Sequence, residues 1–209
     1  MSKVATNMKS VYELFIEETE KPAPDVVMLE LLIDRLKEED IDRITELNLS
    51  DKKLDKLPNN IGNLTNLQQF SCYYNKISIL PDSIGNLTNL QKIYCYNNQI
   101  SNLPDSIGNL TNLERLWISD NQISNLPDSI GNLTNLQYFY CYNNQISNLP
   151  DSIGNLTNLE RLWISDNQIS DLPISIGNLT NLQILQIYNN KISELPKWLI
   201  NMNIPNIRT

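Results

Sequence analysis

The groups in this chain able to do chemistry are thiols, carboxylates, arginines and aromatic rings, and their spacing narrows what that chemistry is. Cys72, Cys95 and Cys141 are the three thiols, each a potential thiolate nucleophile or soft metal ligand. No histidine occurs anywhere in the chain and no glycine-rich phosphate loop is present, so the usual base and the usual phosphate cradle are both missing. Carboxylates recur in pairs, Glu114 with Asp120 and again Glu160 with Asp166. Such repetition suits a solvated face better than a single active centre. Cys72 and Cys95 on successive units could share a metal, but no second ligand pair accompanies them. No catalytic residue, no cofactor and no metal are therefore expected. What remains is a set of tyrosines, tryptophans and cations that would bind rather than react.

These residues are placed by a repeat. A 23-residue unit, LTNLERLWISDNQISNLPDSIGN at 110–132, recurs seven times without a gap from Ile41 to Asn201. Apolar residues hold unit positions 1, 4, 7, 9, 14, 17 and 21, which in this copy are Leu110, Leu113, Leu116, Ile118, Ile123, Leu126 and Ile130. All six glycines fall at position 22 and seven of the ten prolines at position 18, so backbone geometry must repeat along with hydrophobicity. The three cysteines share position 9, whose neighbours alternate with it, and this turns them inward as reduced core thiols. Position 12 is asparagine in six copies, from Asn75 to Asn190, and Lys52 in the first. Stacked side-chain amides can satisfy the backbone groups of a buried turn that no strand pairs.

The frame LxxLxx(L/F/I)x(I/C/L)xxNxIxxLPxxIGN resembles the leucine-rich repeat family in its 23-residue LPxxI form, across all seven units. The resemblance implies an α/β fold: a right-handed leucine-rich-repeat solenoid, or curved horseshoe, with a parallel concave β-sheet, a helical N-terminal cap and a short C-terminal cap. It also implies a protein-binding scaffold, without naming the partner. Residues 91–136 and 137–182 differ at only four of 46 positions, Lys92/Tyr138, Ile93/Phe139, Asn125/Asp171 and Asp128/Ile174. A recent duplication of a two-unit block follows, so the repetition of its aromatics is not independent evidence of use.

With positions 7 and 9 turned inward, positions 6, 8 and 10 point out from the sheet. Those columns carry the expected partner-binding residues: Tyr73, Lys92, Tyr94, Tyr96, Arg115, Trp117, Tyr138, Tyr140, Tyr142, Arg161, Trp163 and Tyr188. Rungs about 4.8 Å apart make the strip from Tyr73 to Tyr188 roughly 25 Å long. Aromatics and arginine are the side chains that most often anchor protein interfaces. Neighbouring rings can also simply stack and favour the sheet. A glycan platform using the same rings, with Ser119, Ser165, Asp120 and Asp166 around each sugar, is the alternative reading, and a self-associating structural repeat is a third.

The ends break the repeat. Residues 1–40 carry ten acidic and five basic side chains, most of the chain's net charge of −8. They read as an acidic helical cap, with helices over Val11 to Glu18 and Asp25 to Glu39, Asp25 as an N-cap, and Val26, Leu29, Leu32, Ile33 and Leu36 along one apolar side. Residues 41–201 form the repeats, and 202–209 a C-terminal cap or tail, which Trp198 helps to build. With both ends covered, the chain is expected to be a complete, monomeric small protein. Net negative charge argues against nucleic acid, and no basic amphipathic helix or apolar span suggests a membrane. Met1 to Ser10 has no apolar run of the kind a secretory signal needs, so a cytoplasmic location, or export by a route that needs no such signal, is expected, and the six Asn-Leu-Thr triplets are products of the repeat rather than glycosylation sites.

Overall fold

In the computed structural model, which describes residues 9–202 and 204–209, each unit forms one coil of a solenoid. Three-residue strands occupy unit positions 6–8: β1 Glu46–Asn48, β2 Gln69–Ser71, β3 Lys92–Tyr94, β4 Arg115–Trp117, β5 Tyr138–Tyr140, β6 Arg161–Trp163 and β7 Ile184–Gln186. They pair in chain order as one parallel sheet. Equal unit lengths fix the register, so Arg115 stands opposite Tyr138 and Trp117 opposite Tyr140. The inward columns form a continuous core. In the fourth unit Leu110, Leu113, Leu116, Ile118, Ile123 and Ile130 have no exposed surface and Leu126 is 7% exposed. Each such side chain contributes about 1.5–3 kcal/mol on burial, and nearly all of that is gained between neighbouring coils.

The asparagine column does what its spacing predicts. Asn121 accepts the Ile100 N–H through Oδ1 and donates from Nδ2 to carbonyls of Cys95, Ile118 and Ser119, and Asn144 repeats the pattern one coil on. A second ladder at position 3 escaped the sequence reading: Asn112 donates to Thr88 O and Asn135 to Thr111 O, both at 2.9 Å. Position 11 is a left-handed corner in every unit, with φ between 51° and 55° at Asp51, Tyr74, Asn97, Asp120, Asn143, Asp166 and Asn189. Asparagine and aspartate tolerate that conformation best, which explains the column; Tyr74 is the bulky exception. The glycines at position 22 have no positive φ. Five of the six are needed for close approach instead, as a Cβ on Gly131 would lie 2.5 Å from Ser152 O, whereas one on Gly177 would meet nothing within 4 Å.

At the N-terminal end α1 (Val11–Glu20) is capped by Ser10 and Glu13 reciprocally, and α2 (Val26–Ile33) by Asp25, whose Oδ1 accepts the Val27 N–H at 2.9 Å. Helix α2 ends sooner than its composition suggests, and a separate turn, α3 (Glu38–Ile41), follows. Val26, Leu29, Leu32 and Ile33 are buried and Leu36 is partly so. Glu18, almost fully buried, is satisfied by Lys21 and by the Asp25 N–H at 2.7 Å, which ties the two helices together.

At the other end α4 (Lys197–Asn201) packs Leu199 and part of Trp198 on the core. The stretch read from sequence as a polar tail contains an eighth strand, β8 (Asn206–Arg208), paired in parallel with β7. Without it β7 would present an open edge, and instead Ile187 N–H donates to Arg208 O at 2.9 Å. Only Ile207 supplies an apolar cue in three residues, too little for periodicity to register. Among the described residues no helix is long and apolar enough to cross a membrane.

Candidate functional site

The sheet face gathers eight of the twelve expected residues into one hollow of about 530 Å³: Tyr96, Arg115, Trp117, Tyr138, Tyr140, Tyr142, Arg161 and Trp163, joined by Ser119. That volume lies in the range of small-ligand and peptide clefts. Tyr73, Lys92 and Tyr94 lie outside its lining on the N-terminal side, and Tyr188 borders a separate hollow near the C-terminus with Ile192 and Leu195.

The rings are not free-standing. At position 8, in-register pairing sets Tyr94 edge-on to Trp117 at 4.8 Å, stacks Trp117 on Tyr140 at 5.2 Å, and stacks Tyr140 on Trp163 at 4.1 Å between centroids. Tyr140, held between two indoles, is only 9% exposed. Three such contacts stabilise the sheet by about 2–4 kcal/mol beyond area burial. Tyr96 and Tyr142 at position 10 tilt over the indoles at 6.3 and 6.4 Å and form the rim. A second cluster stands beside it, where Tyr73 stacks on Tyr96 at 4.6 Å and Tyr74 meets both edge-on. The rings thus serve the fold as well as lining the hollow.

Two expectations about polar groups need correction. Position 10 points outward at its tyrosines, but Ser119 and Ser165 are 2% and 1% exposed. Both side chains are thus nearly covered, and only Ser119 reaches the floor of the hollow. Asp120 and Asp166 are engaged too, accepting from Asn143 and Asn189 at 2.6 and 2.8 Å along the left-handed corners. Their column in the sequence, alternating only with asparagine apart from Tyr74, was the available signal that backbone conformation chose them.

The cations of this face are not paired with acids. Among the described residues no carboxylate comes within 4.0 Å of Arg115, Arg161 or Lys92, since the ion pairs all lie in the N-terminal region. Both guanidinium groups instead face the Tyr138 ring, at 5.2 and 5.5 Å from its centroid, a cation–π arrangement at half-exposed sites. The Tyr138 hydroxyl donates to Glu160 at 3.3 Å. Glu114 borders a neighbouring amide-rich hollow, so no acid lines the aromatic one. Trp117 Nε1, Trp163 Nε1, Arg115 Nε and Arg161 Nε are covered and have no acceptor, and the Ser119 hydroxyl is likewise unpartnered. Ser119 sits close enough to Tyr142 to lower its pKa, though the two hydroxyls do not meet at hydrogen-bonding geometry. Burial, and then the neighbouring Asp120, outweigh that and leave Tyr142 raised; Tyr96 is raised by burial and then by Tyr73 and Tyr74.

The thiols offer no chemistry in this state. All three are fully buried, burial pushes the pKa of Cys72 and Cys141 upward, and Cys72 Sγ lies 3.1 Å from Cys95 Sγ as a thiol contact. Among the described residues no three His, Cys, Asp or Glu side chains converge as metal ligands.

Comparison with known proteins follows the same lines. The family model for a leucine-rich repeat region matches residues 26–121, and the model for paired leucine-rich repeats matches 111–156 and 157–201. No curated protein matches the chain. Among solved structures it is similar to an internalin, InlF, of Listeria monocytogenes, with 28% identity and a TM-score of 0.73 over 88% of this chain and 51% of that one. It is similar also to the ectodomain of the Arabidopsis thaliana receptor kinase GASSHO1/SCHENGEN3, solved with CASPARIAN STRIP INTEGRITY FACTOR 2, at 25% identity and TM-score 0.75 over 87% of this chain and 22% of that one. The plant peptide hormone receptor RGFR1, solved in complex with RGF2, shares 34% identity and a TM-score of 0.70 over 79% of this chain and 28% of that one. The chain therefore spans between about a fifth and a half of the length of these structures.

Proposed function

The chain belongs to the leucine-rich repeat family, and from that premise we propose that it is a non-enzymatic recognition scaffold whose concave sheet face holds a protein partner. Repeats of this family commonly mediate protein–protein interaction. The observation that carries the reading here is the hollow lined by Trp117, Tyr138, Tyr140, Tyr142 and Trp163, with two guanidinium groups that pair with no acid among the described residues. Desolvated aromatics with arginines at their margin are the composition of interface anchors. Two of the similar structures hold partners, CASPARIAN STRIP INTEGRITY FACTOR 2 and RGF2, which supports a protein or peptide as the class of ligand. Glycan binding is favoured less, because Ser119 and Ser165 are buried and Asp120 and Asp166 are already bonded. A monomer in a reducing, cytoplasmic setting completes the proposal, and the three buried free thiols fit the reducing part of it.

The test must spare the stack that holds the sheet. Tyr142 makes only a long, tilted contact with Trp163, and Tyr96, although it stacks on Tyr73, stands outside the Trp117–Tyr140–Trp163 stack, so Tyr96→Ala/Tyr142→Ala removes the rim and leaves that stack whole. Affinity capture from lysate with the full chain should recover a protein that this variant, folded by circular dichroism, retains at least tenfold less. Equal recovery by both proteins would overturn the concave reading.

A further inference from the structure

Resting on that reading, we infer that the concave hollow selects an acidic segment: an extended peptide with two carboxylate side chains three residues apart, one for Arg115 and one for Arg161. Three observations lead there. The first is charge: this protein carries a net −8, yet the charged side chains lining the hollow are two arginines and no acid. Asp120 and Asp166 are turned into bonds with Asn143 and Asn189, Glu160 takes the Tyr138 hydroxyl, and Glu114 faces the adjoining hollow. Lys92, opposite Arg115 on the next strand and likewise without an acid among the described residues, extends the cationic row. A local positive site on an otherwise acidic surface attracts anions to that place while the rest of the surface repels them.

The second observation is hydrogen bonding. The Nε atoms of both arginines are covered, but the two side chains line the hollow and are only partly buried, and neither guanidinium donates to an acceptor among the described residues. Their unmet demand is for an acceptor, and a carboxylate is the side chain that only accepts when ionised. The third is spacing. Arg115 on β4 and Arg161 on β6 are two strands apart, about 10 Å, with Tyr138 between them. A polyproline-type segment crossing the strands returns the same face every three residues, at about 3.1 Å per residue. Carboxylates at i and i+3 therefore match the two guanidiniums, while the side chains between them lie against Tyr138, Trp117 and Trp163.

Selection of random displayed 12-residue peptides on the full chain tests this. Selected peptides are expected to be enriched in Asp or Glu at i and i+3. A synthetic copy of the leading peptide should bind at least tenfold more weakly when both acids become Asn or Gln. It should weaken similarly on Arg115→Gln/Arg161→Gln, retain part of its affinity on Arg115→Lys/Arg161→Lys, and lose affinity as salt rises. Peptides that depend on Tyr96 and Tyr142 but show no acidic enrichment, or that lose less than twofold on acid-to-amide change, overturn the inference and leave the concave reading standing. Failure to select any peptide overturns the inference alone, and selection of peptides indifferent to Tyr96→Ala/Tyr142→Ala overturns both. Binding of acidic polysaccharides such as polygalacturonate at the same arginines, with no peptide selected, overturns the peptide assignment in favour of a uronate ligand.

Discussion

Replacing Asn121 with alanine isolates what the asparagine ladder contributes. Its Oδ1 accepts from Ile100 N–H at 2.9 Å, and its Nδ2 reaches the carbonyls of Cys95, Ile118 and Ser119 at 3.0, 3.0 and 3.1 Å. Each carbonyl keeps a second donor without it: Asn98 for Cys95, Asn144 for Ile118, and Asn97 N–H for Ser119. The Ile100 N–H has no other acceptor among the described residues, and Ile100 is fully buried. One stranded donor costs about 1–3 kcal/mol, and losing the two Nδ2 hydrogens adds roughly 1 kcal/mol each, so about 3–5 kcal/mol in total is expected. Against a typical domain stability of about 5–15 kcal/mol this is a large fraction. Urea unfolding followed by far-ultraviolet circular dichroism measures it. Asn125→Ala is the control, since that side chain is exposed and bonds only the adjacent Ser124 hydroxyl; it should change stability by less than about 0.5 kcal/mol. A loss below about 1 kcal/mol for Asn121→Ala, or equal losses for the two variants, would refute the claim that the ladder is what satisfies the turns. Asn121→Asp keeps the acceptor but turns a carboxylate toward three carbonyls, so that variant should gain stability as pH falls and the carboxyl protonates.

The glycines and rings give sharper contrasts. Gly131→Ala places a Cβ 2.5 Å from Ser152 O, whereas Gly177→Ala meets nothing within 4 Å, so thermal unfolding should show a loss of about 1–3 kcal/mol for the first and almost none for the second. Tyr140→Ala removes the ring between Trp117 and Trp163 and should cost about 3 kcal/mol by denaturation, against less than about 1 kcal/mol for Tyr188→Ala, which lies outside the stack. Tyr96 and Tyr142 have raised pKa values from burial. The neutral rings therefore contribute stability fully present below the unfolded value of about 10 and lost as pH climbs through the higher folded value; absorbance at 295 nm should show phenols lagging the rest, and a single transition at the ordinary value would contradict this. Cys72, Cys95 and Cys141 should resist a thiol reagent in the native state and react together on unfolding, and fast labelling of any one would show that its coil opens locally.

Much of the architecture was legible because the repeat length equals one coil. A fixed 23-residue period leaves little choice of register, and the apolar columns at Leu110 through Ile130 mark the inside of every coil at once. Position 12 was readable for the same reason, since an amide repeated in a buried turn has backbone groups to satisfy. Legibility failed where a residue's role depends on a neighbouring coil. Ser119 looks outward by alternation but is almost fully buried, and Tyr140 looks like a free ring until in-register pairing clamps it between Trp117 and Trp163. Strand β8 failed for another reason: three residues outside the repeat carry no period, and only the open edge of β7 explains their pairing.

The sequence by itself determined the solenoid, its inward columns, its reduced thiols and the aromatic character of the exposed face, because each follows from local chemistry multiplied by a constant period. Only the tertiary structure decided which of those face residues form a hollow, that Asp120 and Asp166 accept corner bonds, and that Arg115 and Arg161 face Tyr138 with no ion pair among the described residues. Those are distances between side chains on different coils, set by rotamers and stacking across the rungs, and a one-dimensional pattern holds no record of them.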